Sequence, residues 1–253
     1  MFFAEKCVSL PRMQTKTEAI VLHSFKYGES KLIVDMFTRQ CGRLSFVVLL
    51  PRPGKGRLKK QFFQPLSLLE LSFDHRPKVQ LQKPGDVQIA FPFVSIPFHQ
   101  AKLAIALFLS EFLYHALKGE QQNIPLYDYI RNSIEWLDAR GDHVANFHLV
   151  FLLHLSRFLG FFPNLDDYHP GCCFDLRAGE FSAVVPVHRD FIAPEEAAKM
   201  ELLMRMDFPT MHLFRMTRRD RQRLLELALA YYRLHLPDFP ELKSLNILQE
   251  LYE

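Results

Sequence analysis

The strongest constraint on this chain is a change of hydrophobic period near residue 90. From Thr17 to about Ile89 the apolar residues recur with period two, in five short segments rich in β-branched and aromatic residues. These are Glu18–His23 (EAIVLH), Lys31–Thr38 (KLIVDMFT), Arg43–Leu50 (RLSFVVLL), Leu66–Phe73 (LSLLELSF) and Val79–Lys83 (VQLQK). Turn signals separate them at Tyr27-Gly28-Glu29-Ser30, Gln40-Cys41-Gly42 and Asp74-His75-Arg76-Pro77, with a long loop between the third and fourth. Five strands without an intervening helix predict a small barrel or sandwich. The long third connection suits an OB-type barrel, a fold that commonly binds single strands.

From Ser95 the period becomes 3.6. Ser95-Ile96-Pro97 reads as a helix start and Lys118-Gly119 as its end. Further helices are expected at Leu126–Arg140, Val144–Leu159, Pro194–Met206, Thr217–Leu236 and Ser244–Leu251, with Thr217 and Asp220 forming a capping box. Between them, Pro163 to Asp190 is irregular and holds one hairpin, Phe174–Pro186. The predicted fold class is therefore α+β: an N-terminal five-stranded OB-type β-barrel followed by an α-helical domain with a knuckle insert. The expected divisions are a loose leader over 1–14, the barrel over 15–90, and the helical domain over 91–253 with its insert at about 163–192. Met13 is the alternative natural start.

Charge divides along the same boundary. Residues 1–88 hold 15 Lys/Arg against 7 Asp/Glu, and the remainder holds 16 against 21, so a net charge of +3 conceals a basic third and an acidic remainder. The basic excess peaks in Pro51–Lys60 (PRPGKGRLKK), with five cations, two glycines, two prolines and no carboxylate. A basic loop on a β-scaffold can follow a phosphate backbone without reading base sequence. The plain alternative is a solvated loop that aids solubility.

Other chemistries lack their signatures. Gly54-Lys55-Gly56 has neither the spacing nor the Ser/Thr of a phosphate-cradling loop, and there is no G-x-G-x-x-G or H-E-x-x-H. His115 lies one helical turn from Glu111, and His148 and His154 do not share a helix face. His169, Cys172, Cys173 and His188 are the candidate metal ligands. The second couple of a four-ligand zinc site would need Val185, so a knuckle held by apolar contacts is favoured and no cofactor is expected. Phenylalanines 108, 112, 147, 151, 158, 161 and 162 read as helical core; a groove among them for an acidic peptide tail would take Arg157 as its basic rim. Neither a secretion signal nor a membrane span is expected: Glu5, Lys6 and Pro11 interrupt the start, and Ala101–Leu117 is short and carries Lys102 and Glu111. Four cysteines, two of them adjacent, suit a reducing cytoplasm.

The segment Thr15–Val48 (TKTEAIVLHSFKYGESKLIVDMFTRQCGRLSFVV), the basic loop, QPLSLLELSF and the terminal LKSLNILQELYE together resemble the RecO family of DNA repair proteins. The likeness runs from about Thr15 to Glu253. It implies a recombination mediator without catalytic turnover, located in the cytoplasm with the nucleoid. Such a protein binds single- and double-stranded DNA and anneals complementary strands. With RecR it helps RecA replace the single-stranded-DNA-binding protein on gaps, and it holds that protein's acidic C-terminal tail through its helical domain. Carried onto this chain, the DNA-contacting residues are Lys16, Lys26, Arg39, Arg43, Arg52, Lys55, Arg57, Lys59 and Lys60. Many such proteins carry a four-cysteine zinc knuckle, which this chain does not complete. Two readings from other classes remain open: an RNA-binding or ribosome-associated module, and a zinc-dependent hydrolase on the knuckle.

Overall fold

The computed structural model describes residues 14–50 and 60–250. The leader before residue 14 and most of the basic loop lie outside the described residues. The N-terminal unit is one antiparallel-rich sheet of β1 (Gln14–Tyr27), β2 (Lys31–Thr38), β3 (Gly42–Leu49), β4 (Leu68–Asp74), β5 (Leu81–Gln82) and β6 (Pro84–Phe91). Its order is β5-β3-β2-β1-β4-β6.

Two expectations about this sheet need correction. It has six strands rather than five, because the final strand is split. Leu81–Gln82 pairs in parallel with β3, and Pro84–Phe91 pairs antiparallel with β4. Lys83 and Pro84 fall at the change of partner, and a proline cannot donate to a ladder. The two ends of the hydrogen-bonded order are thus consecutive in sequence, so the sheet curls in the manner of an OB barrel without a closed ladder. β1 is also far longer than Glu18–His23. Its N-terminal half pairs with β4 and its C-terminal half with β2, with a register shift between Val21 and His23.

The shift at Leu22 lies within the stretch that sets the architecture. Ala19 and Val21 point into the barrel core with Leu32, Val34, Met36, Phe46 and Val48. Ile20 and Leu22 point the other way, with Phe37, Leu66 and Leu68, into the core of the helical domain. A strand apolar on both faces must be covered on both. The cover is α1 (Gln100–Ala116), whose Ser110 Oγ donates to the Leu22 carbonyl at 2.6 Å.

The expected first helix is two pieces, a 3₁₀ turn at Ile96–Phe98 and then α1, broken at the extended His99. After α1 come α2 (Ile124–Ala139) and α3 (Phe147–Phe158). The insert follows as β7 (Cys173–Asp175), β8 (Glu180–Ser182) and β9 (Phe191–Ile192), a three-stranded sheet where only a hairpin was expected. Then come α4 (Pro194–Met204), α5 (Arg218–His235) and α6 (Ser244–Glu250). The Thr217–Asp220 capping box forms, with both reciprocal bonds present. Phe108, Phe112, Phe147 and Phe151 are fully buried, as their helical spacing predicted. Glu111 accepts from the Lys243 and Ser244 backbone amides at 3.0 and 2.7 Å, pinning the start of α6 against α1.

A buried carboxylate organises the link between the two units. Asp138, at the end of α2, accepts from the amides of Val94, Ser95 and Ile96 at 2.9, 2.9 and 2.8 Å. Lys102 is buried beside it and donates to Ser95 Oγ at 2.6 Å and to the carbonyls of Asp138 and Arg140. Desolvation lowers the Lys102 pKa, partly offset by the Asp138 charge. Asp138→Ala should cost about 2–3 kcal/mol, because it leaves the buried Ile96 amide and the part-buried Val94 and Ser95 amides without their acceptor. Comparing denaturant midpoints of the two proteins tests this, and a loss under about 1 kcal/mol would show that water replaces the carboxylate.

The β2–β3 turn makes the second fixed contact. Gly42 has φ +70°, and a Cβ there would lie 2.4 Å from the Gln121 carbonyl carbon. Gly28, in the β1–β2 turn, has the same φ with nothing within 4 Å. Both glycine-to-alanine changes carry a left-handed penalty of about 1–2 kcal/mol. Gly42→Ala should cost clearly more, since the backbone after α1 must also move. Thermal unfolding of the two variants should separate them, and equal losses would deny the close approach.

Candidate nucleic-acid interface

The expected DNA-contacting cations separate into three groups. Arg52, Lys55, Arg57 and Lys59 lie outside the described residues. Lys60 opens a 3₁₀ turn, Lys60–Phe63, and is exposed. Lys26 is exposed near the β1–β2 hairpin. Lys16 is exposed too, but pairs across to Glu70 at 2.5 Å, and that hydrogen bond raises its pKa.

Arg39 and Arg43 turn inward to the seam between the units. Arg39 makes a bidentate pair with Asp128 of α2, at 2.9 and 3.1 Å. The hydrogen bond from Arg39 holds the Asp128 carboxyl below the usual carboxylate range. Arg43 donates to the Tyr114 carbonyl and lies 4.4 Å over the Tyr114 ring. Arg131 of α2 completes the seam by pairing with Glu18 of β1 and with Glu135. Arg39 and Arg43 were expected to flank a turn facing a ligand, and their guanidinium groups instead tie β2 and β3 to the helices.

Two residues that the charge pattern did not single out, Phe25 and Tyr27, stand with Lys31 at the opposite end of the same sheet. Phe25 and Tyr27 continue β1 past His23, with 44% and 57% of their surface exposed. Lys31 faces Tyr27 in the β1–β2 register and Leu49 in the β2–β3 register. The available signal was the alternation in His23-Ser24-Phe25-Lys26-Tyr27, which continues the strand beyond the point where its apolar run stops.

The knuckle does not assemble a metal site. Among the described residues, no group of three or more His, Cys, Asp or Glu comes together to hold an ion. Cys172 and Cys173 are buried, with Cys172 and Phe174 in the helical core, while His169 is exposed. His188 lies 3.2 Å from Asp175. These four side chains do not fit a zinc ion. His148 and His154 of α3 are engaged within the helical domain: burial pushes His148 down to about 3, and His154 donates to the Met206 carbonyl at 3.0 Å. Arg157 stands 4.3 Å over the Phe162 ring, where a basic residue and the helical phenylalanines meet. Among the described residues, no helix is long and apolar enough to cross a membrane.

Comparison with known proteins bears on both units. Residues 13–93 match the family described as Recombination protein O N terminal, and residues 100–246 match Recombination protein O C terminal. A DNA repair protein RecO of Bacteroides fragilis is 50% identical over 242 residues, covering 95% of this chain and all of the relative. The protein of the same name from Phocaeicola vulgatus is 49% identical over 240 residues, with the same coverage. That of Porphyromonas gingivalis is 34% identical over 244 residues, covering 94% of this chain and 98% of the relative. With both halves matched in order and relatives aligned along nearly their whole length, the chain belongs to the RecO family of DNA repair proteins.

Proposed function

We propose that this protein is a recombination mediator that works by binding rather than turnover. In this reading it holds single- and double-stranded DNA on its barrel and anneals complementary strands. It acts with RecR to help RecA onto gaps covered by the single-stranded-DNA-binding protein, whose acidic tail it engages through the helical domain. The observation that carries the reading is the placement of positive charge. Lys26 and Lys31 are exposed at the hairpin end of the sheet, and the chain that leaves at Leu50 and returns at Lys60 contains Arg52, Lys55, Arg57 and Lys59 with no acid. The Leu50 amide bonds to Ser30 in the β1–β2 turn at 2.8 Å, so the loop leaves beside that hairpin. Lys16, Lys26, Lys60 and the four loop cations are proposed as phosphate contacts. Arg39 and Arg43 contribute field from the seam. Annealing requires screening between two polyanions while base edges stay free, which a cationic, sequence-blind surface supplies. Neither zinc nor a nucleotide enters this scheme.

Reversing Arg57, Lys59 and Lys60 to Glu should weaken single-stranded DNA binding at least about tenfold at modest salt. It should also flatten the log–log salt slope by about two. Unchanged affinity with an unchanged slope would remove the loop from the interface. Running the same salt titration with structured RNA as competitor distinguishes a DNA mediator from an RNA-binding module. Strands coated with tail-deleted single-stranded-DNA-binding protein should be annealed more slowly than strands coated with the intact protein, and equal rates would remove the tail contact.

A further inference from the structure

The helical domain covers only part of the outer face of the β1-β2-β3 sheet. Over Ile20, Leu22 and Phe37 that face is sealed in the helical core. Towards the β1–β2 hairpin, no described helix covers it. The side chains there follow from the register, since Leu32, Val34, Phe46 and Val48 fill the barrel. The residues between them, Ile33, Val47 and Leu49, therefore face outward with Phe25 and Tyr27. Leu49 is 64% exposed, beside two exposed aromatic rings.

These rings end a continuous row that starts in the seam. Arg43 lies over Tyr114, Tyr114 is 4.9 Å from His23, and His23 is 5.8 Å from Phe25. The row is anchored at its inner end by α1 and open at its outer end. Phe25 and Tyr27 are two residues apart on one strand, about 6.8 Å. That is twice the ~3.4 Å step per nucleotide along one strand, so each ring can meet a different base.

The charges around the patch select the occupant. Lys31 sits between Tyr27 and Leu49 in the register, on the same face as the rings. Lys26 pairs with the barrel-facing Leu32 and so leaves the strand on its other face. Asp35, one row back on the same face, is buried and bonded to Ser45. Glu29 in the turn is the local opposing charge. Apolar rings beside the Lys31 ammonium fit a ligand with aromatic faces on an anionic backbone. An acidic peptide would use the lysine and leave the rings without a matched partner.

We propose that Phe25 and Tyr27 form a base-stacking platform for single-stranded DNA, with Lys31 taking a phosphate; this rests on the DNA-binding reading above. Phe25→Ala and Tyr27→Ala should each weaken single-stranded DNA binding about tenfold. The salt slope should hold, because no cation is lost. Duplex affinity should change less than about twofold, since paired bases keep their own stack. Phe25→Trp should retain affinity, and its added fluorescence should be quenched by an oligothymidine. Wild-type affinity in both alanine variants, or equal losses on single strands and duplex, would overturn the platform while leaving DNA binding intact. A wild-type protein that shows no salt-dependent DNA binding would overturn the DNA reading instead.

Discussion

The structure depends on a strand with no solvent face. Over four consecutive residues, Ala19 to Leu22, β1 sends alternate side chains into two different cores, and all four are buried. Burying one Ile or Leu stabilises by about 1.5–3 kcal/mol, so neither unit can release the strand without losing several such terms. The barrel and the helices are therefore one cooperative body along β1. The register shift at Leu22 ends this arrangement. Past His23, whose ring still meets Tyr114 of α1 at 4.9 Å, the same strand that seals the domain seam presents Phe25 and Tyr27 to solvent.

The seam explains why a basic third of the chain does not carry all its charge on a free surface. Arg39 and Arg43 lie in β2–β3, and Arg131 reaches back from the helices to Glu18. These groups are only partly exposed, so each needs a fixed partner to offset lost hydration. Asp128, Glu18 and the Tyr114 carbonyl and ring supply them. Gly42 permits this docking, because only a residue without a Cβ can bring the turn against Glu120 and Gln121. Among the described residues, the expected contacts left on the outer surface are lysines, Lys16, Lys26 and Lys60, which suit sequence-blind contact.

The insert shows the same logic in miniature. Cys172 and Cys173 look like half a metal knuckle in the sequence, yet the three short strands they introduce are held by apolar packing. Phe174 meets Phe181 at 5.0 Å and Tyr231 of α5 at 6.2 Å. Gly179 leaves room for the Tyr231 hydroxyl, which a Cβ would approach to 2.5 Å. Phe174, Phe181 and Tyr168 give this small sheet aromatic contacts of its own.

Period and capping chemistry are local properties, and they were legible. The change from two to 3.6 places the strands before the helices, and Thr217 with Asp220 marks the start of α5 because both bonds close within four residues. The basic excess of the first third is equally visible, since it needs only counting. The split of the last strand was not legible: which partner Leu81 and Ile89 choose depends on strands far off in sequence. Nor was the fate of Arg39, Arg43 and Asp138, whose partners are 71 residues away for Arg43, 89 for Arg39 and 42 to 44 for Asp138. The exposure of Phe25 and Tyr27 belongs to the same class, because an aromatic residue in an alternating strand reads as core until the extent of the covering helix is known. The sequence by itself determined the succession of a β-rich, basic third and a helical remainder, through contacts within a few residues. Only the tertiary structure decided which cations and rings remain free, because that depends on where α1 and α2 come to rest against β1.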